Sequence, residues 1–132
     1  MREIKFRGMT VAPGNGVAHK PEMVYGSLRV KPNYDAFIFW YKRTKSGKET
    51  WGRRAVDFRT VGQLTGIKDA HDNELYEGDI CWDAHNEYYG QVIWDEGAWC
   101  YQWDNIIENL NDCAHSIELM GNIHQNNDLI GE

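Results

Sequence analysis

The chain has 132 residues, with 14 Lys+Arg against 20 Asp+Glu and a formal net charge of −6. An aromatic content of 13%, including six Trp and seven Tyr, excludes an intrinsically disordered chain, which could not afford so many apolar rings. The net charge conceals a division: residues 1–60 carry 13 basic and five acidic residues, or +8, whereas residues 61–132 carry Lys68 alone against 15 acidic residues, or −14. An overall pI of 5.3 therefore does not exclude an anionic partner.

In chain order, Glu3–Arg7 alternates polar and apolar residues and predicts a half-buried strand, with Ile4 and Phe6 inward. Pro13-Gly14-Asn15-Gly16 predicts a loop. Met23–Val30 predicts a second strand and Ala36–Lys42 a third, with Phe37, Phe39 and Tyr41 on one face and Ile38 and Trp40 on the other. Thr44–Lys48 reads as a polar hairpin turn leading into a fourth strand over Glu49–Phe58.

The second half begins with Thr60–Gly66, read as a helical turn or a strand, and a polar turn over Lys68–Glu74. A strand is expected from Asp79 to Trp82. Another hairpin is expected over Tyr89–Asp95 and Ala98–Trp103, around Asp95-Glu96-Gly97. Asp104–Asn111 has Ile106, Ile107 and Leu110 at helical spacing behind an Asp cap, and predicts one short helix. Ser116–Ile123 predicts a closing strand, after which Leu129 and Ile130 are expected to dock the tail. These elements predict a mainly β, α+β chain of one domain's size: a basic β-rich region over 1–57 and an acidic region over 58–132 matching a small antiparallel barrel, which closes to hide its edges.

Cys81, Cys100 and Cys113 are odd in number and form no CxxC, which predicts buried, reduced thiols rather than disulfides. The start, MREIKFRGM, lacks the apolar run of a signal peptide, and the apolar stretch Ala36–Tyr41 is too short to span a bilayer. A cytoplasmic protein is expected.

Four blocks carry a family resemblance. TVGQLTGIKDAHDNELYEGDI (60–80) closely resembles the signature of the YopX family of phage and prophage proteins, which tends to read TGLKDKNGKEIYEGDIV there. MREIKFRG at the start, MVYGSL (23–28) and IELMGNIHQN (117–126) are similar to the same family and come in the same order. Here His71-Asp72-Asn73 replaces the usual Asn-Gly of the turn. The resemblance implies a β-rich protein with a C-terminal SH3-like barrel and a phage, prophage or bacterial-host setting. It implies no enzymatic activity.

Candidate chemistry is sparse. Asp69, His71, Asp72 and Glu74 loosely echo a calcium loop but lack its Gly and its terminal Glu, so a self-bonded polar turn is expected. Cys81, His85 and Cys100 fit no zinc spacing. No GxSxG, HExxH or Walker loop occurs. Gly78 and Asp79 are read as a structural turn, Gly supplying positive φ and Asp accepting backbone N–H bonds. No catalytic residue, metal or cofactor is expected.

The basic half interleaves cations with rings. Lys42, Arg43, Lys45, Lys48, Arg53 and Arg54 form the candidate surface for an anionic partner. The leading expectation is a non-enzymatic binding module that self-associates through its opposed charges and surplus Trp and contacts a host or phage macromolecule. The alternatives are a nucleic-acid-binding protein using the basic half and, third, an enzyme of unknown class to which no residues are assigned. The scattered acidic residues also admit mimicry of DNA phosphate, but a solvated β surface explains them more simply.

Overall fold

The structure is a computed structural model and describes residues 3–12, 16 and 18–131. Of the expected loop at 13–16, only Gly16 lies among the described residues. The chain forms two compact units, Ile4–Gln63 and Leu64–Glu132, the latter with Met1–Glu3. The first unit holds twelve basic and four acidic residues and the second two and sixteen, so the +8 and −14 follow the structural division. The division falls six residues after the expected boundary at 57/58.

In the first unit, β1 (Phe6–Met9), β2 (Met23–Val30), β3 (Ala36–Arg43) and β4 (Glu49–Val56) form an antiparallel sheet in the order β4-β3-β2-β1. Gly62 and Gln63, which open β5 (Gly62–Lys68), pair with Arg7 and Phe6 on the free edge of β1. β1 is thus hydrogen-bonded on both sides, which corrects the expectation of a half-buried strand over 3–7. Ile4 lies before the strand and is 69% exposed, while Arg7 is only 3% exposed. Gly8 keeps this approach close: a Cβ there would stand 3.1 Å from the Val56 side chain, which would have to shift. The small core is Ala36, Ile38 and Val56, covered by Phe6, Val24, Leu28, Trp40 and Val61. The β3–β4 turn closes as expected, Thr44 N–H donating to the Lys48 carbonyl (2.8 Å) and Gly47 N–H to that of Thr44 (2.9 Å).

In the second unit, β5 continues into a pair with β6 (Glu74–Tyr76). β7 (Asp79–Asp83), β8 (Tyr88–Asp95), β9 (Ala98–Trp103), β10 (Ile106–Asn109) and β11 (Ile117–Asn122) form an antiparallel sheet in the order β10-β9-β8-β7-β11. Among the described residues no pairing joins β10 to β11, so this sheet is open rather than a closed barrel. The β8–β9 hairpin matches its expectation: Asp95 faces Ala98 across Glu96 and Gly97, both at positive φ (48° and 82°) as a type I′ turn requires.

The helix expected at Asp104 is a correction. Asp104 instead turns the chain at φ 53°, and Ile106–Asn109 pairs with β9 as β10. The β-branched pair Ile106-Ile107 suits a strand, and the apparent helical spacing came from residues on either side of the real boundary. The helix is α1 (Leu110–Cys113), capped by Asn109, whose side chain accepts from Asn111 N–H at 2.9 Å. Its Leu110 and Cys113 join Leu75, Cys81, Val92, Tyr101, Ala114 and Ile117 in the larger core of the molecule.

Candidate nucleic-acid interface

Residues directly opposite across an antiparallel pair point to the same side of the sheet. In β2–β3–β4 this places Arg29, Phe37 and Ala55 in one row and Ser27, Phe39 and Arg53 in the next. Tyr41 faces Trp51 further along, and Arg43 faces Glu49 at the end. By the same alternation Tyr25 shares this side. Ala36, Ile38 and Trp40 have the opposite parity and turn to the core or its margin, so the core could not absorb both aromatic rows.

The outer side is consequently aromatic and exposed. Trp51 is 73% and Tyr41 59% accessible, and Tyr25 is also exposed. Two cations approach the Phe37 ring, with Lys31 Nζ 5.3 Å and Arg53 Cζ 5.5 Å from its centroid. At one end Arg43 pairs with Glu49 at 2.6 Å. The Tyr41 hydroxyl, hydrogen-bonded to Glu49, has its pKa raised, while the same contact and Arg43 hold the Glu49 carboxyl below its ordinary value.

At the other end Tyr34, Asp35, Phe37, Ala55, Phe58 and Arg59 line part of a cavity of 570 Å³. Tyr34 and Phe58 meet there with ring centroids 5.3 Å apart. Tyr34 is held at φ 67°, a conformation costly for a non-glycine residue, by a turn in which its N–H donates to the Lys31 carbonyl at 2.8 Å.

The six cations named from sequence do not gather at one point. Arg53 lies on the aromatic face; Lys45 and Lys48 occupy the hairpin tip; Arg43 is engaged by Glu49. Arg54 has the opposite parity and pairs with Glu22 at 2.9 Å. Lys42, also of that parity, lines a separate cavity of 310 Å³ with Val24, Tyr25 and Trp40. The ring missed from sequence is Tyr25. Its signal was the alternation Tyr25-x-Ser27-x-Arg29, which marks one outward row.

The other candidates are occupied by structural work. Asp69 accepts from His71 N–H (2.9 Å), Asn73 N–H (2.8 Å), the Asn73 side-chain amide (3.1 Å) and Leu119 N–H (2.8 Å), pinning the 69–73 turn to β11. Burial pushes its pKa up, but these bonds outweigh burial and hold it below the ordinary value. Asp79 is 1% exposed and accepts from Tyr76 N–H at 2.7 Å. Gly78 adopts φ 91° between Val92 and Ile123, bonding to each at 2.9 Å. Asp83 accepts from His85 and Asn86 N–H in the same manner.

The three thiols are free and buried. Burial, reinforced by Glu108, Asp83 and Asp112, pushes Cys113 up to about 12; burial, with Asp79 and Asp69, raises Cys81, and burial also raises Cys100. Thiols so shifted are poor nucleophiles at neutral pH. Among the described residues no three His, Cys, Asp or Glu side chains converge as a metal site.

Fold and surface thus define a small, mainly β protein of two antiparallel units, with buried carboxylates tying its turns and an aromatic, cationic sheet face exposed. The model of the family described as YopX protein matches residues 17–131, and the chain belongs to that family. The 23–28, 60–80 and 117–126 blocks lie inside the match, and the opening MREIKFRG lies outside it. Comparison with curated proteins gives no match. Among the described residues no helix is long and apolar enough to cross a membrane.

Proposed function

We propose that this chain is a phage- or prophage-encoded, cytoplasmic, non-enzymatic binding module that self-associates and takes single-stranded nucleic acid on the outer face of β2–β3–β4. The observation that carries the ligand is the set of exposed rings Tyr25, Tyr41 and Trp51, with the half-buried Phe37, beside Arg29, Lys31 and Arg53 on one face. Bases stack on rings without sequence preference, and cations follow the phosphates. The cavity beside Tyr34 and Phe58 offers room for one splayed base. The division of charge between the units supports self-association. The structural engagement of Asp69, Asp79 and the raised thiols supports a role without catalysis. In the second unit, the β7-β8-β9 meander and the short helix before β11 support an SH3-like arrangement, open between β10 and β11.

Fluorescence titration with single-stranded and duplex oligonucleotides tests the ligand. Single strands should bind at about 50 mM salt and be released steeply as salt rises. Lys42, Arg43, Arg53 and Arg54 changed together to Ala should weaken binding and flatten the salt dependence. Taken singly, Arg53→Ala should cost more than Arg54→Ala, whose guanidinium is engaged by Glu22. No binding at low salt, or binding indifferent to salt, overturns the nucleic-acid reading.

A further inference from the structure

The second unit carries a groove on the outer side of β7–β8–β9, with a volume of 620 Å³. Trp82 and Tyr89 pack on its floor with centroids 4.8 Å apart, and Tyr88 and Trp103 meet at 5.1 Å at its end. Leu129 and Ile130 form a wall. Two turns held at positive φ bring carboxylates to its rim: Glu87 at 57° and Asp104 at 53°. Neither side chain makes an ion pair or hydrogen bond among the described residues. Residues 61–132 contain one Lys or Arg, and that residue, Lys68, stands 3.6 Å from Asp72. Among the described residues of this unit no Lys or Arg pairs with Glu87 or Asp104.

The first unit has the complementary surplus. Its acids Glu22, Glu49 and Asp57 are engaged by Arg54, Arg43 and Arg59. Lys45 and Lys48 remain exposed at the β3–β4 tip with no ion pair among the described residues. The tip is tied by its own hydrogen bonds: Thr44 Oγ1 accepts from Lys48 N–H at 3.1 Å and meets Ser46 Oγ at 2.9 Å. A preorganised loop loses little freedom on docking. Ammonium groups are attracted both to carboxylates and to aromatic faces, and this chain already sets an ammonium over a ring at Lys31 and Phe37.

We propose that the groove receives the Lys45–Lys48 hairpin tip of a second copy of this chain. The inference rests on the self-association proposed above and names its two surfaces. Tip and groove are different patches, so the contact is head-to-tail and extends to rings or filaments rather than stopping at a symmetric pair. The contact proposed is a small one resting on exposed charges, so assembly is concentration-dependent and weakened by salt.

Sedimentation velocity on the full chain tests it with two exposed double variants, K45E/K48E and E87K/D104K. Each alone places like charges at the contact and should lower the association constant about tenfold or more. Mixed together they restore opposite charges at every junction and should reassociate. Circular dichroism of each variant verifies that it is folded. Loss in both variants with recovery in the mixture supports the proposal. A wild-type chain that is monomeric at all concentrations overturns self-association itself. An associating wild type with either variant unaffected, or with no recovery in the mixture, overturns the tip-and-groove contact and leaves self-association to another surface.

Discussion

The two units solve the same problem, an antiparallel sheet in water, in opposite ways. The second unit has the larger core, and its buried polar groups are fastened: Asp69, Asp79, Asp83 and Asn122 each accept backbone N–H groups at turns. The first unit buries four apolar side chains, Met9, Ala36, Ile38 and Val56, and leaves Tyr25, Tyr41 and Trp51 in solvent. On the proposed reading, the exposed rings of the basic half, Tyr25, Tyr41 and Trp51, serve binding, while Phe6 and Trp40 cover the core. A buried carboxylate that accepts several N–H bonds holds a loop in place, while a ring as exposed as Trp51 contributes little to folding.

The contrast can be broken most forcefully at Tyr101. Its ring is fully buried, its hydroxyl donates to the Cys81 carbonyl at 3.0 Å, and it packs so close over Gly90 that a Cβ there would lie 2.3 Å from Cζ. Tyr101→Ala should cost about 3–5 kcal/mol in denaturant unfolding. Trp51→Ala in the other unit should change stability by about 0.5 kcal/mol or less yet weaken single-strand binding by about 1–3 kcal/mol. Equal stability losses would end the division of labour. Gly78→Ala comes next, at roughly 1 kcal/mol or more, because alanine resists the positive φ. An unchanged melting temperature would mean the corner relaxes freely.

Asp69 sharpens the comparison through pH. Its folded pKa is below the unfolded value, so its contribution is complete above about pH 4 and is lost as pH falls through the folded pKa. Asp69→Asn should be less stable at neutral pH and show a flatter loss of stability below about pH 4, read from melting temperatures across that range. The smallest effect belongs to the exposed Arg43–Glu49 pair. Arg43→Ala should alter stability by no more than about 1 kcal/mol, and added salt should erase the difference.

Much of the strand pattern was legible locally. Met23–Val30 matched to the residue, and the type I′ turn at Glu96-Gly97 was visible because its backbone demands few residue types. The error at Asp104 had a physical cause: Ile106, Ile107 and Leu110 fit a helical period, but pairing with β9 claimed the first two and left only Leu110 to the helix. The Arg7 error was of the same kind. A charged residue reads as outward until neighbours on both edges make its strand central. Of the candidate surface, the cations were visible as a list; which of them share a side with the rings was not.

The sequence by itself determined the β class, the turns, the family and the division into +8 and −14, since these depend on residue type, short-range backbone preference and composition. Only the tertiary structure decided that Phe37, Tyr41 and Trp51 face outward together, that Arg54 is engaged by Glu22, and that Glu87 and Asp104 rim one groove. Those facts depend on strand register and on which side of a sheet the core occupies. Both are set by pairings between residues distant in the chain, which no local pattern encodes.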